Sequence, residues 1–421
     1  MNTSTGMHED TGLAQMVRDL ALEGFEGPGR LQRESSEKLR WLRDLGTALW
    51  LDTGDAEAAE TVWGPELEAM TTNNTLVNEV VQTGAMDGLI AYGARKIRQA
   101  MPGISSRELV IEIAFLVNAK LALSLVERFG AHVSVELHPD VASDIDRTLA
   151  FARRYYDINP EFFYIKIPLT PEGFVSARRL SEEGIPINFT LGFSARQNYL
   201  ATRFSRPRFV NVFLGRLNSL VEENRLGKPE NVGEKATLAS CERVAEIRES
   251  KEGVHTRQIA ASMRDGQQVV TLSGVDVLTM PPKVVQQYLQ MNVSQSDLYR
   301  RRAEELELEF SPGEPAGSEL LSCLWDVDDK FIAFVDDALE RGDQILNGED
   351  LAELSRLHQV NLFHNWNDDE RLRVRAKGKI PDISQWPDVP VDDLMSVAAL
   401  ETFAKDQIAL DQRIEDLLQK T

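Results

Sequence analysis

The sequence predicts an α/β protein: a (β/α)8 barrel carrying an acidic, mainly helical insertion ahead of a C-terminal helix. Three observations predict it. Between about Trp41 and Met280, short apolar runs alternate with longer segments of helical periodicity. There are eight such runs, and eight strand-then-helix units imply a parallel sheet closed on itself. Residues 301–360 break the pattern, with 5 basic and 16 acidic side chains, a balance of −11.

Residues 1–40 are expected to form an N-terminal helical extension and 41–300 the barrel. The predicted strands are Ala48–Thr53, a short run ending in Met70–Asn73, His132–Leu137 and Phe163–Pro168. They continue with Ile187–Gly192, Phe209–Gly215, Gln258–Ser262 and Val275–Met280. A connection rich in Gly and Pro, Ser311–Glu319, falls early in a 301–390 insertion. Helical spacing follows around Phe331, Ile332, Val335 and Leu339. Three prolines (Pro381, Pro387, Pro390) then disfavour helix between Gly378 and Asp393. Over 391–421, Leu394, Val397, Leu400, Phe403, Ile408, Ile414 and Leu417 predict a long amphipathic helix.

Composition narrows the function. The 421 residues include 46 Lys plus Arg against 67 Asp plus Glu, a net charge of −21. Such a surface repels phosphate backbones, which argues against nonspecific nucleic-acid or anionic-membrane binding. Any phosphate the protein handles must meet a local basic pocket. Cys241 and Cys323 lie far apart with no CxxC spacing, and the six histidines form no HxxxH or HxH pair, so no metal is expected. His138 is better read as structural than as a ligand. The start of the chain shows no basic region followed by an apolar one, and Leu109–Val126, interrupted by Glu112, Asn118 and Lys120, reads as an amphipathic helix. A cytoplasmic protein is expected.

A buried parallel strand should be a near-continuous apolar run, and several of these are not. Asp52, Glu136 and Lys166 interrupt three different strands, while Asn188 and Thr190 alternate onto one strand face. Polar groups near the C-terminal ends of barrel strands converge on the active-site mouth. Lys166, between Ile165 and Ile167, is a structural lysine paired with Glu136, a lysine reaching bulk solvent, or a Schiff-base nucleophile. Asp52 and Glu136 on other strands favour the nucleophile, since imine chemistry needs a carboxylate to shuttle protons. Asp55 is better read as a helix cap, and Thr71–Asn74 on spacing alone as a turn with an N-cap. Arg216 and Arg264 each follow a strand and read as surface arginines or, with Ser262 on the same face as Arg264, as a phosphate clamp.

Several of these segments, in this order, resemble the transaldolases: WLDTGD (Trp50–Asp55), TTNNTL (Thr71–Leu76), VSVEL (Val133–Leu137) and the block Ile165–Ser194. VFLGRL (Val212–Leu217), ASMR (Ala261–Arg264), VDVLTMPPK (Val275–Lys283) and the closing helix Leu400–Lys420 extend the likeness. The resemblance implies a barrel that transfers a dihydroxyacetone unit between sugar phosphates without a cofactor. By position, Lys166 matches the Schiff-base lysine and Asp52 the acid/base carboxylate, while Glu136 and Thr190 match the pair that holds the catalytic water. Asn73 and Asn188 match groups binding the donor hydroxyls. Arg216, Ser262 and Arg264 match the phosphate clamp, and Phe213 an aromatic beside the substrate.

Several positions depart from the family pattern, Val212 and Leu214, for a proline and a valine, among them. Asn211 stands for a serine near the donor's end, Asn74 for a proline, Met263 for a phenylalanine and Gly192 for a leucine. None removes a charge the mechanism needs, so they bear on which sugar phosphate is used. Two rivals stay open: a related aldolase that releases free dihydroxyacetone, and a catalytically silent sugar-phosphate binder. Glu136 and Phe213 take the transferase form of the resemblance. The expected partners are sugar phosphates, with a homo-oligomer possible and neither nucleic acid nor membrane involved.

Overall fold

The computed structural model describes residues 11–311 and 316–419. Eight strands form a closed barrel in sequence order: β1 (Ala48–Asp52), β2 (Leu67–Thr71), β3 (His132–Glu136), β4 (Phe163–Pro168), β5 (Ile187–Thr190), β6 (Phe209–Phe213), β7 (Arg257–Ala261) and β8 (Val277–Met280). β8 pairs with β1 to close the ring, and every pairing is parallel. Each predicted strand is present. The β4 register sets Lys166 opposite Glu136 on one side and Asn188 on the other, which brings the polar interruptions to one level.

Below that level lies an apolar floor. Trp50 of β1 stacks 5.6 Å from Tyr164 of β4 and meets Phe209 of β6 edge-on at 4.6 Å. These strands are not neighbours, so the rings fill the barrel interior. Two residues further along the same strands stand Asp52, Lys166 and Asn211, carried inward by the strand period of two. The alternation therefore builds a dry aromatic plug and seats the polar layer on it.

The helix Ser106–Phe129 corrects one expectation. It is buried nearly all round, Glu112 and Asn118 included, and not on one stripe. Arg154 pairs bidentately with Glu112 at 2.8 and 2.6 Å, which satisfies the buried carboxylate. Among the described residues it is the one helix long and apolar enough to cross a membrane, and 89% of its apolar window is buried inside the protein.

The residues after β8 add helices at 316–321, 329–341, 348–357 and 368–377 before the closing helix Val391–Leu418. Barrel arginines receive part of the acidic surplus: Arg203 meets Asp336 at 2.8 Å and Arg178 meets Asp343 at 3.3 Å. The closing helix crosses the C-terminal ends of the strands. Its first turn is fixed by Asp392, which accepts from Ser194 and bidentately from Arg196 just after β5. Further along, Asp411 accepts from Arg107 and contacts His138 after β3, and Asp406 accepts from Thr75 after β2. His138 Nδ1 accepts from the Asp140 amide, the structural role expected of it. The helix is amphipathic only in its later turns. From Val391 to Ala399 it is buried on every side, whereas Ile408 is exposed.

Candidate active site

Lys166 projects from β4 into the barrel and is 4% exposed. Its Nζ donates to the Thr72 carbonyl at 2.9 Å and lies 3.2 Å from Glu136 Oε2. Asp52 ends β1 and accepts from Thr71 Oγ1 at 2.7 Å, and Thr71 in turn meets Thr279 Oγ1 at 2.8 Å. These hydroxyls fix the carboxylate's rotamer. Burial pushes both carboxyls up from their ordinary values: Asp52 against the pull of Lys166, Thr71 and Arg264, and Glu136 against that of Lys166. Both are thus biased toward holding a proton, the condition for an acid that can also act as a base.

Asn188 donates from Nδ2 to Ser134 Oγ at 2.9 Å and leaves its buried Oδ1 without a protein partner. Glu136 Oε2, apart from the lysine's charge, and Thr190 Oγ1 are also buried without hydrogen-bond partners. Buried polar atoms of this kind are the usual seat of a bound water or substrate hydroxyl.

Two arginines line the same cavity. Neither Arg216 nor Arg264 has a carboxylate within ion-pair distance among the described residues, although the chain is strongly acidic. Arg216 is 7% exposed, with Nη1 unpartnered, and lies against the paired rings of Phe213 (5.9 Å) and Phe403 (5.5 Å). The rings position the guanidinium without neutralising it. Burial, and then the neighbouring Arg264, pull Arg216 down to about 10. Gly215 makes the approach possible, since a Cβ there would sit 2.2 Å from the Ser262 carbonyl and 2.9 Å from Arg264. Ser262 itself holds φ 63°, a left-handed conformation that costs a non-glycine residue on the order of 1–3 kcal/mol and clusters at functional sites.

The structure brings Asp52, Asn73, Lys166 and Asn188 into one cavity with Asn211, Phe213, Arg216, Ser262 and Arg264. Its volume is ≈ 160 Å³, suited to a small polar molecule. Glu136 and Thr190 do not line it: Glu136 reaches it through Lys166, and Thr190 stands one level beyond Asn188 on the same strand face. Asn73 caps the helix Asn74–Gln82, as the turn reading proposed, and lines the cavity too. Asp55 caps its helix. Asn211 spends its side chain on the backbone, donating to the Phe189 carbonyl at 2.6 Å and accepting from the Gly192 amide at 3.1 Å. A Cβ at Gly192 would meet the Asn211 carbonyl at 2.2 Å, so two departures from the family pattern are one local adjustment.

Sequence reasoning missed Thr71, Thr279 and Ser134, whose hydroxyls orient the charged layer, and Phe403 and Lys379, which line the cavity from the C-terminal elements. A larger cleft of ≈ 460 Å³, bordered by Arg206, Arg208 and His255, lies at the opposite ends of β6 and β7 and holds none of these groups.

The raised carboxyl predicts a stability effect. A carboxyl whose folded value exceeds its unfolded one binds more protons when folded, so stability falls as pH rises from about 4 through the raised value. Asp52→Asn is therefore expected to melt higher than the parent at pH 8, by roughly 1–2 °C. The gain should shrink toward pH 4. Differential scanning calorimetry across pH checks this, and a variant that melts lower at pH 8 contradicts it.

Comparison with known proteins places these features. The family model described as transaldolase/fructose-6-phosphate aldolase matches residues 49–317. A transaldolase of Xanthomonas campestris pv. campestris (strain B100) is 29% identical over 278 residues, covering 63% of this chain and 81% of that protein. A probable transaldolase of Thermus thermophilus is 30% identical over 256 residues, covering 60% of this chain and 95% of that protein. A transaldolase of Prochlorococcus marinus subsp. pastoris is 26% identical over 273 residues, 63% of this chain and 79% of that protein. Lys379 and Phe403 lie beyond the residues the family model matches.

Proposed function

The chain belongs to the transaldolase/fructose-6-phosphate aldolase family, and on that premise we propose that it transfers a dihydroxyacetone unit from a ketose phosphate to an aldose phosphate through a Schiff base on Lys166. What carries this reading is the charge set of one cavity: a buried lysine paired with Glu136 and in the field of Asp52, together with two guanidiniums that have no ion-pair partner among the described residues. A lysine alone would suit a structural ion pair. The unpaired arginines, Arg216 buried and Arg264 exposed, suit an anion bound beside the lysine.

Lys166 Nζ adds to the ketose carbonyl, and loss of water gives an iminium. The carbon–carbon bond beyond the next hydroxyl-bearing carbon then breaks. Its electron pair moves into the iminium to form an enamine, while the departing aldose's hydroxyl proton passes to Asp52. The enamine carbon attacks the aldehyde of an acceptor aldose phosphate, Asp52 returns the proton to the new hydroxyl, and a water held by Glu136 and Thr190 hydrolyses the imine. Asn73 and Asn188 hold donor hydroxyls, and Arg216, Ser262 and Arg264 hold the phosphate. Fructose 6-phosphate or sedoheptulose 7-phosphate would serve as donor, with erythrose 4-phosphate or glyceraldehyde 3-phosphate as acceptor. This reading places the protein in the cytoplasmic pentose phosphate pathway.

The family also contains fructose-6-phosphate aldolase, which defines the second reading. Glu136 and Phe213 take the transferase form that the resemblance implies, and this favours transfer. Donor cleavage should therefore depend on acceptor. With fructose 6-phosphate alone, free dihydroxyacetone should form at a few per cent or less of the rate of transfer to erythrose 4-phosphate. Equal rates with and without acceptor would establish the aldolase instead.

A further inference from the structure

We propose that Lys379, which lies outside the barrel, is a third cationic ligand of the substrate phosphate and sets the preference for phosphorylated over unphosphorylated sugars. This rests on reading Arg216 and Arg264 as the phosphate clamp. Lys379 lines the same cavity as both arginines, and it is the only residue between 301 and 390 to do so among the described residues.

Its place there is built. Gly378 turns the chain with φ +96°, releasing it from the helix Asp368–Lys377. Ile380, next to Lys379, is buried at 6% exposure, and Pro381 stiffens the following step. Asn224 then grips the segment from below: its Nδ2 donates to the Pro381 carbonyl at 3.0 Å, and its Oδ1 accepts from the Ile383 amide at 3.0 Å. Asn224 directly follows the helix Leu214–Glu223, whose third residue is Arg216. The same short helix thus fixes both Arg216 and the backbone that presents Lys379.

The charges point the same way. Three neighbouring cations have partners, since Arg375 and Arg371 meet Glu401 and Arg373 stacks on Trp386 at 4.6 Å, whereas Lys377 has no carboxylate at ion-pair distance among the described residues. Lys379 has no carboxylate at ion-pair distance among the described residues, and residues 361–390 around it carry five acidic and five basic side chains. A phosphate dianion has three terminal oxygens, enough to accept from Lys379 as well as from Arg216 and Arg264. A lysine is a flexible point charge, so it can follow the phosphate as the sugar chain length changes between donor and acceptor.

The test uses the full chain with Lys379→Ala and Lys379→Gln. The KM for fructose 6-phosphate is expected to rise about tenfold with kcat within about twofold, the usual scale for one charge-assisted hydrogen bond. Unphosphorylated fructose should be cleaved with unchanged kcat/KM. Calorimetric titration with inorganic phosphate should show roughly fivefold weaker binding by both variants. Phosphate binding equal to that of the parent, or equal losses with both sugars, overturns the assignment. A parent protein that forms no imine with fructose 6-phosphate, yet binds phosphate in a Lys379-dependent way, would refute the proposed reaction and leave the ligand assignment standing.

Discussion

Replacing Lys166 with methionine is expected to lower kcat for dihydroxyacetone transfer by about 10³-fold or more while leaving the barrel folded. Among the described residues no other amine lines the cavity except Lys379, which is exposed, whereas Lys166 is buried beside Glu136. The loss should therefore fall on kcat and not be rescued by higher substrate. Methionine keeps the volume of the chain above the floor of Trp50, Tyr164 and Phe209. Removing the cation leaves Glu136 buried, but burial already pushes that carboxyl up, so it can hold a proton and lie neutral in its place. Lys166→Ala would add a cavity of several methylenes and should melt lower than Lys166→Met. Steady-state rates and thermal melts of the two variants check both statements. A methionine variant within tenfold of parental kcat would show that the lysine is structural.

The second large effect concerns the arginines. Arg216→Ala should raise the KM for fructose 6-phosphate roughly 100-fold, and Arg264→Ala roughly 30-fold, with smaller changes in kcat. Arg216 should matter more because it is buried against Phe213 and Phe403 and loses less ordering entropy on binding. Lysine at this site is a poor substitute, since it offers a point charge where the rings hold a planar fork. With unphosphorylated fructose the parent and both variants should converge. Parallel losses with both sugars would mean that the arginines support the fold and not the phosphate.

Much of this site was legible because the barrel makes polar residues conspicuous. Asp52, Glu136 and Lys166 stood out as charges within apolar runs, and period two placed Asn188 and Thr190 on one face before any coordinates did. What escaped notice depends on long-range packing. Thr71 and Thr279 look like ordinary strand residues until the closing of β8 onto β1 sets them 2.8 Å apart beside Asp52. The plug of Trp50, Tyr164 and Phe209 requires knowing that β1, β4 and β6 face one another across the interior. Phe403 was read as an apolar position of a helix, and only its crossing of the strand ends brings it against Arg216. Helix Ser106–Phe129 misled because its few polar residues suggested a wet face, whereas Arg154 neutralises Glu112 inside the core. Asn73 shows that a cap and a cavity-lining group need not be alternatives.

The central claim is a covalent imine on one named lysine. Borohydride reduction of the protein in the presence of fructose 6-phosphate, followed by peptide mass spectrometry, tests it most directly. A three-carbon adduct is expected on the peptide holding Lys166 and nowhere else, and it should be absent from Lys166→Arg. An unlabelled Lys166 peptide under turnover conditions, or a label that survives in Lys166→Arg, would contradict the account.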